Sequence, residues 1–570
     1  MNTFRIRPII LALGASALAA AWSGIAIADK DIAEWQVVVN NGVTVPGDSR
    51  TFNSYNQPSV NVDALVVFRA RSRGGQGGEP AHGVYTRDMS KKGGGPVTTV
   101  FDRNTLVPAP NNLGTTFTEP PSFPRIDIRT HTVASRGNHS PVWRFIVGTD
   151  PVTGEEIESR AGTTGLYATA FGPLVTGESN LGAVPEFSFF AVPGRDPQTK
   201  FDVFPGAPAV TDGSILVFKA NHTENGIGKT GVYFRRLENQ PIPSSAGPLS
   251  PAAGTQPAVM IADNVSTLIP GTGTLFGSTA PPSAAEGKAV FAGFDNEDNP
   301  TLGGIYLAAL TGTAPPLTAL VSIQGQVPGE SPGVGFTRLG EGVSFDGRFV
   351  AFWGAWDTAT KQLVLQCPTE GNRLVIAFCR EQHPNGYTVE VPVNQGIFVH
   401  DIETGETHAI AKTPADFSDF VYMNYSGRVP GLGEGEEDGE LARWRSASFV
   451  AVSGVRKNPK DKNFQVAFKG RRGEVVNGVY VDPIDGIYLY ASPKRPTLVA
   501  LAETGMAGTI FDPQAVADSD EDPATPPTVL PVTEVGIERD GFRGNVLVIN
   551  VSMGTEEAGW AGIYLTQVKK

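Results

Sequence analysis

Cysteine is nearly absent from this chain: Cys367 and Cys379 are the only two in 570 residues. No histidine or third cysteine stands near them at ligand spacing, which argues against a cysteine-built metal site. The basic excess that nucleic-acid binders carry is missing as well. Lys and Arg number 45 against 58 Asp and Glu, a formal net charge of −13. That balance argues against nucleic acid and against anionic membrane surfaces, and for the protein itself it means solubility. Beyond the N-terminus no apolar run approaches the roughly 18 residues that span a bilayer. The glycines keep no three-residue period, which rules out collagen. The seven histidines, His82, His131, His139, His222, His383, His400 and His408, form no compact ligand motif.

Glycine and proline are abundant instead. There are 67 Gly and 45 Pro, about one residue in five against an ordinary level of roughly 12%. Both residues break helices, which excludes a helical bundle. A hydrophobic share of 40% excludes wholesale disorder and suffices for a sizeable core. A large protein of strands and turns is left.

The N-terminus has the pattern of a secretory signal peptide over residues 1–28. Arg5 and Arg7 are followed by an apolar run from Ile9 to Trp22, then by the small residues of Ala26-Ile27-Ala28, so cleavage before Asp29 is expected. The product is expected in the periplasm or outside the cell, as a monomer without a membrane anchor. An exported chain meets oxidising conditions, so a Cys367–Cys379 disulfide is expected.

Internal repetition organises the remainder. A tripeptide of Gly, an aliphatic and an aromatic recurs as Gly83-Val84-Tyr85, Gly165-Leu166-Tyr167, Gly231-Val232-Tyr233, Gly304-Ile305-Tyr306, Gly396-Ile397-Phe398, Gly478-Val479-Tyr480 and Gly562-Ile563-Tyr564. The period is about 80 residues, the scale of one repeat unit. An eighth match, Gly486-Ile487-Tyr488, is assigned to the next strand of the sixth unit. Runs such as Leu65-Val66-Val67-Phe68 and Ile215-Leu216-Val217-Phe218 precede most copies and have strand composition. The second unit is the weakest, with no clean equivalent between Thr132 and Val147.

Connectors repeat too: Val45-Pro46-Gly47 leads to Phe52, and Ile269-Pro270-Gly271 leads to Phe276 at the same spacing. Looser copies lead to Phe117 and Phe336. Trp35-Gln36-Val37-Val38-Val39 resembles Val97-Thr98-Thr99-Val100 and Ala258-Val259-Met260-Ile261, a strand that the last unit lacks. The N-terminal strand is therefore expected to complete the C-terminal blade, closing a ring without an exposed edge. The expected fold is all-β: a single β-propeller domain over residues 29–570 with seven blades, or six or eight if the second or sixth unit is misread.

The fifth unit carries a family resemblance. Ser344-Phe345-Asp346-Gly347-Arg348-Phe349-Val350-Ala351-Phe352, with Gly396-Ile397-Phe398-Val399-His400-Asp401 and Thr404-Gly405-Glu406-Thr407, resembles the TolB-like propeller repeat. Phe345 replaces the usual proline, and residues 362–392 form an insertion. More broadly the units resemble a bacterial family of secreted repeat proteins. The resemblance implies a propeller and no particular activity.

Local chemistry is sparse. Gly329-Glu330-Ser331-Pro332-Gly333 matches a nucleophile elbow but lies in a Pro-Gly connector with no helix after it. Gly228-Lys229-Thr230 lacks the first glycine of a phosphate loop. Asp518, Asp520 and Asp522 alternate in a loop, a pattern that suits Ca²⁺, but the turn glycine is missing. Asp295 to Asp298 is a weaker acidic tip, and Glu434 to Glu440 a solvated acidic loop. Trp353 and Trp356, and Arg443, Trp444 and Arg445, are the candidate binding residues, because aromatic side chains serve as platforms for sugar rings or protein partners. A long insertion on a regular scaffold is a favoured place for such a surface. No cofactor motif is found. The expected function is a non-catalytic binding module for a protein or a cell-surface glycan; the alternative is a glycan lyase or hydrolase with its site at the channel mouth.

Overall fold

A computed structural model describes residues 26–27, 34–74, 79–110, 114–140, 143–242, 253–369, 373–427, 429–430, 441–454, 463–492, 495–517 and 527–568. Seven sheets, each built on four antiparallel strands, stand in a ring, so the chain is a seven-bladed β-propeller; in the sixth the two residues Ala26–Ile27 add in parallel beside Arg495–Glu503. In the first blade, Phe52–Tyr55 and Ser59–Val60 form a broken inner strand. Leu65–Ser72, His82–Asp88 and Val97–Asp102 follow outward. In the seventh blade the outermost strand is Trp35–Asn40, paired with Gly559–Gln567 from Trp35↔Thr566 to Asn40↔Gly562. The closure expected from the half-units is therefore present.

The repeated tripeptide has a mechanical explanation. At six copies the ladder to the outer strand slips between the aliphatic and the aromatic residue, as at Val84/Tyr85, Val232/Tyr233 and Ile305/Tyr306. This β-bulge lets the aromatic ring fold back over the glycine two positions earlier. A Cβ on Gly562 would lie 2.6 Å from both Tyr564 Oη and Val39 O, so a side chain there has no room. The connector phenylalanine then packs against the same aromatic, edge-on in most blades. Ring centroids are 4.9 Å apart for Phe52–Tyr85, 5.2 Å for Phe276–Tyr306 and 5.0 Å for Phe336–Phe398. Phe117–Tyr167, Phe201–Tyr233, Phe417–Tyr488 and Phe511–Tyr564 repeat the pair. Each blade thus carries one aromatic lock, at about 0.5–1.5 kcal/mol beyond its area burial.

Two units differ from the sequence reading. In the sixth blade the bulge falls at Ile487/Tyr488, so Gly486-Ile487-Tyr488 is the structural copy. Gly478 sits at the tip of a long hairpin, Phe464–Val476 with Val479–Ser492, at φ +81. Both matches therefore lie at one hairpin, the first at its tip. In the second blade the missing apolar run is the strand Val133–His139, where Gly137 leaves room for the Phe117 ring. A hairpin of Trp143–Thr149 and Glu156–Ala161 is inserted after it.

The ring is closed by hydrogen bonds between neighbouring inner elements. Val60 N donates to Asp540 O (3.0 Å) and Val62 N to Ile128 O (3.1 Å). Thr132 Oγ1 donates to Gly213 O (2.8 Å) and Gly287 N to Thr211 Oγ1 (3.2 Å). Ser283 Oγ donates to Val343 O (2.7 Å), Val452 N to Ser344 Oγ (3.1 Å), and Ser453 Oγ to Gly544 O (2.9 Å). Every neighbouring pair of blades is joined this way.

One inter-blade contact stores a pH dependence. Arg235 and Glu178 are fully buried where the second and third blades meet. Arg235 donates to three carbonyls, of Gly177 (2.5 Å), Gln256 (2.8 Å) and Gly254 (2.7 Å). Burial pushes the Glu178 carboxyl up to about 8, against the pull of Arg235 and the Ser179 amide. A raised folded-state value means the folded chain holds this proton more tightly than the unfolded chain. Its contribution is complete below the ordinary carboxyl range and is lost as pH rises through about 8. Glu178→Gln is therefore expected to raise the melting temperature at pH 8.5 and to leave it nearly unchanged at pH 4.5. Melting curves at the two pH values check this, and an equal effect at both would refute the buried-proton account.

Candidate functional site

Below one face, the central channel is filled. Arg125 of the second blade crosses to Asp540 of the seventh, and its Nη2 reaches Ser283 Oγ of the fourth at 3.2 Å. Arg543 also bonds Asp540, and it donates to Val452 O (3.1 Å) and Phe345 O (3.2 Å) of the sixth and fifth blades. All three charged side chains are at most 6% exposed. Burial alone would raise the Asp540 carboxyl, but Arg125 and Arg543 outweigh it and hold it below the usual range.

Above this plug opens a cavity of about 840 Å³. Arg539 and Glu538 line its floor, bonded Nε to Oε1 at 2.9 Å. Arg539 Nη1 also donates to Pro281 O at 3.1 Å, spanning from the seventh blade to the fourth. Arg69 and Arg136 line the wall from their strands. Arg69 Nε bonds His82 Nε2 at 2.9 Å. Burial, then repulsion from Arg69, Arg71 and Arg103, brings His82 down to about 3, so that imidazole is neutral. The acids Glu297, Asp298 and Glu390 line the cavity from hairpins, and Glu341 lines it from the bend before Ser344–Phe345.

The insertion forms part of the rim. It folds as a hairpin, Thr360–Leu365 with Tyr387–Pro392, carrying the helix Arg373–Gln382. The Cys367–Cys379 disulfide ties that helix down. Cys379 packs with Tyr425 and Ala442, together with Phe378 and Trp444, in a small apolar cluster. This cluster joins the insertion to a second hairpin, Tyr422–Ser426 with Arg443–Ala447. Across the join Tyr387 and Trp444 lie parallel, 6° between planes and 6.3 Å between centroids. Tyr425 meets Trp444 edge-on at 5.4 Å.

The residues singled out from sequence divide. Trp353, Arg443, Trp444 and Arg445 all line the cavity. Trp353 is only 7% exposed, with Nε1 on Gln395 Oε1 at 3.0 Å, and Arg443 bonds Glu297 at 2.8 Å. Trp356 does not line it; its side chain is buried between strands against Phe398. Asp518, Asp520 and Asp522 lie outside the described residues, and among the described residues no group of three or more His, Cys, Asp or Glu could hold a metal. Ser331 sits in a connector turn beside Glu330, which bonds Lys412 at 2.6 Å, and no helix follows. Arg69, Arg136, Tyr387, Glu538, Arg539 and the plug went unnoticed in sequence. Tyr387 falls inside the flagged insertion; the others carry no local signal because separate blades bring them together.

Among the described residues no helix is long and apolar enough to cross a membrane. No family model matches the chain, so the TolB-like resemblance rests on the quoted residues alone. No curated protein matches it. Among solved structures the chain is similar to an oligogalacturonate lyase in complex with manganese, at 9% identity and a TM-score of 0.34, covering 91% of this chain and 96% of that one. A likeness at this level concerns the propeller fold and carries nothing about chemistry.

Proposed function

We propose that this chain is an exported, non-catalytic binding module whose cavity takes a cell-surface glycan. The parallel faces of Tyr387 and Trp444 in the cavity lining are the observation that carries the reading. Flat aromatic faces stack on the C–H faces of sugar rings while nearby polar groups bond the hydroxyls. Trp353, Arg443 and Arg445 line the same space. A deep concavity of this volume suits a short oligosaccharide better than a flat protein epitope.

A glycan array followed by calorimetry on the best binder tests the reading. Tyr387 is 39% exposed, so Tyr387→Ala is expected to fold normally and to weaken binding about tenfold or more. Unchanged affinity in that variant would refute the cavity as the site. A second reading has one supporting observation: Glu538 and Arg539 adjoin at the cavity floor, where a carboxylate and a guanidinium could act on a bound saccharide. Release of shorter products from the bound glycan would favour that enzyme and sink the binding-only reading.

A further inference from the structure

We infer that the ligand of this cavity is an acidic saccharide whose anionic group is received at the floor by Arg539. This rests on the glycan reading and narrows it to a charge class. The floor and the channel beneath it hold three guanidiniums, Arg125, Arg539 and Arg543, against two carboxylates, Glu538 and Asp540. Asp540 is shared by Arg125 and Arg543. Glu538 meets Arg539 through Nε, and Pro281 O takes Nη1. Arg539 Nη2 therefore bonds nothing among the described residues. Arg125 is 1% exposed, and its Nη1 has no partner among the described residues either. The Arg539 side chain is only 16% exposed, and a largely buried guanidinium with an unused N–H attracts an anion more strongly than a surface arginine does.

The surroundings point the same way. Burial disfavours the Arg539 cation, Glu538 and Asp540 only partly offset this, and Arg125 repels it, an imbalance that a bound anion would reduce. Arg69 adds a guanidinium in the wall whose direct partner is neutral His82. The other lining acids are Glu297 and Asp298 in a hairpin turn, Glu390 on the insertion hairpin, and Glu341 in the bend before Ser344–Phe345; none of them is bonded to Arg539, whose carboxylate partner is Glu538. A concentration of positive charge at the floor of a protein with a net charge of −13 is a local arrangement that overall composition does not explain. A planar carboxylate fits the fork of a guanidinium.

Three probes test this by calorimetry: a glucuronate-containing oligosaccharide, the same oligosaccharide methyl-esterified, and a neutral oligosaccharide of equal length. The wild type is expected to bind the acid at least tenfold more tightly than the ester, and Arg539→Gln is expected to erase that preference by weakening acid binding far more than ester binding. Equal binding of acid and ester overturns the inference and leaves the glycan reading standing, as does a preference that survives in Arg539→Gln. Binding of none of the three overturns both. If Arg539→Gln fails to fold, free glucuronate on the wild type decides: it should displace the acidic oligosaccharide where neutral glucose does not, and equal behaviour of the two monosaccharides overturns the inference.

Discussion

A chain beginning at Asn41 is expected not to form the ring. The strand it loses, Trp35–Asn40, is the outer strand of the seventh blade. Val38 and Val39 are fully buried, Trp35 packs on Phe511 at 5.2 Å, and Asn40 Nδ2 bonds the buried Asp512 at 2.7 Å. Each apolar side chain of that size contributes about 1.5–3 kcal/mol when buried, and a domain has only about 5–15 kcal/mol in total. The loss also exposes the edge of Gly559–Gln567, an open template for aggregation. Chains beginning at Glu34 and at Asn41 should be compared by thermal melting and gel filtration. The first should melt like the full chain, and the second should lack a cooperative transition. A cooperative melt from the shorter chain would mean that the seventh blade closes without this strand.

The second large effect concerns the channel plug. Asp540→Asn removes the one carboxylate between Arg125 and Arg543 and leaves two buried guanidiniums facing each other. Breaking a buried pair on one side costs about 3–5 kcal/mol, read as a lower urea midpoint with an unchanged slope. Adding Arg125→Met should recover part of the loss, since the offending charge goes with it. The wild type should show the matching pH dependence. The Asp540 carboxyl is held low in the folded chain, so its contribution is complete above about pH 4 and is lost as pH falls below that, toward the folded-state value. This is the opposite sense to Glu178, whose contribution fades on the alkaline side. Acid sensitivity equal in wild type and Asp540→Asn would remove Asp540 as its source.

Much of the architecture is legible in the chain because the parts that specify it are local. A glycine must stand where the next aromatic folds back over it, so Gly231 and Gly562 announce their bulges two residues ahead. Phe52 and Phe276 sit at one fixed distance from their prolines because one connector geometry serves both blades. The complementary half-units at the two ends point to closure for the same reason. The misassigned sixth copy shows the limit: Gly478 and Gly486 satisfy one pattern at one hairpin, and only the bulge at Ile487/Tyr488 separates them.

The site is less legible. Trp444 and its flanking arginines stand out locally, but Trp356 does so equally and is buried against Phe398. Inner strands such as Ser59–Val60 and Phe542–Arg543 are two residues long, too short to show a period. The Arg125–Asp540 pair joins residues 415 positions apart, and neither residue lies in a motif. The sequence by itself determined a ring of similar sheets, with seven the expected number, its closing strand and the disulfide, since each depends on neighbours or on a repeating spacing. Tertiary structure alone decided that the channel is plugged, that a cavity opens above the plug, and that Arg539 Nη2 stands at its floor without a partner among the described residues. Those features arise where seven separate blades converge, and convergence leaves no periodic trace along the chain.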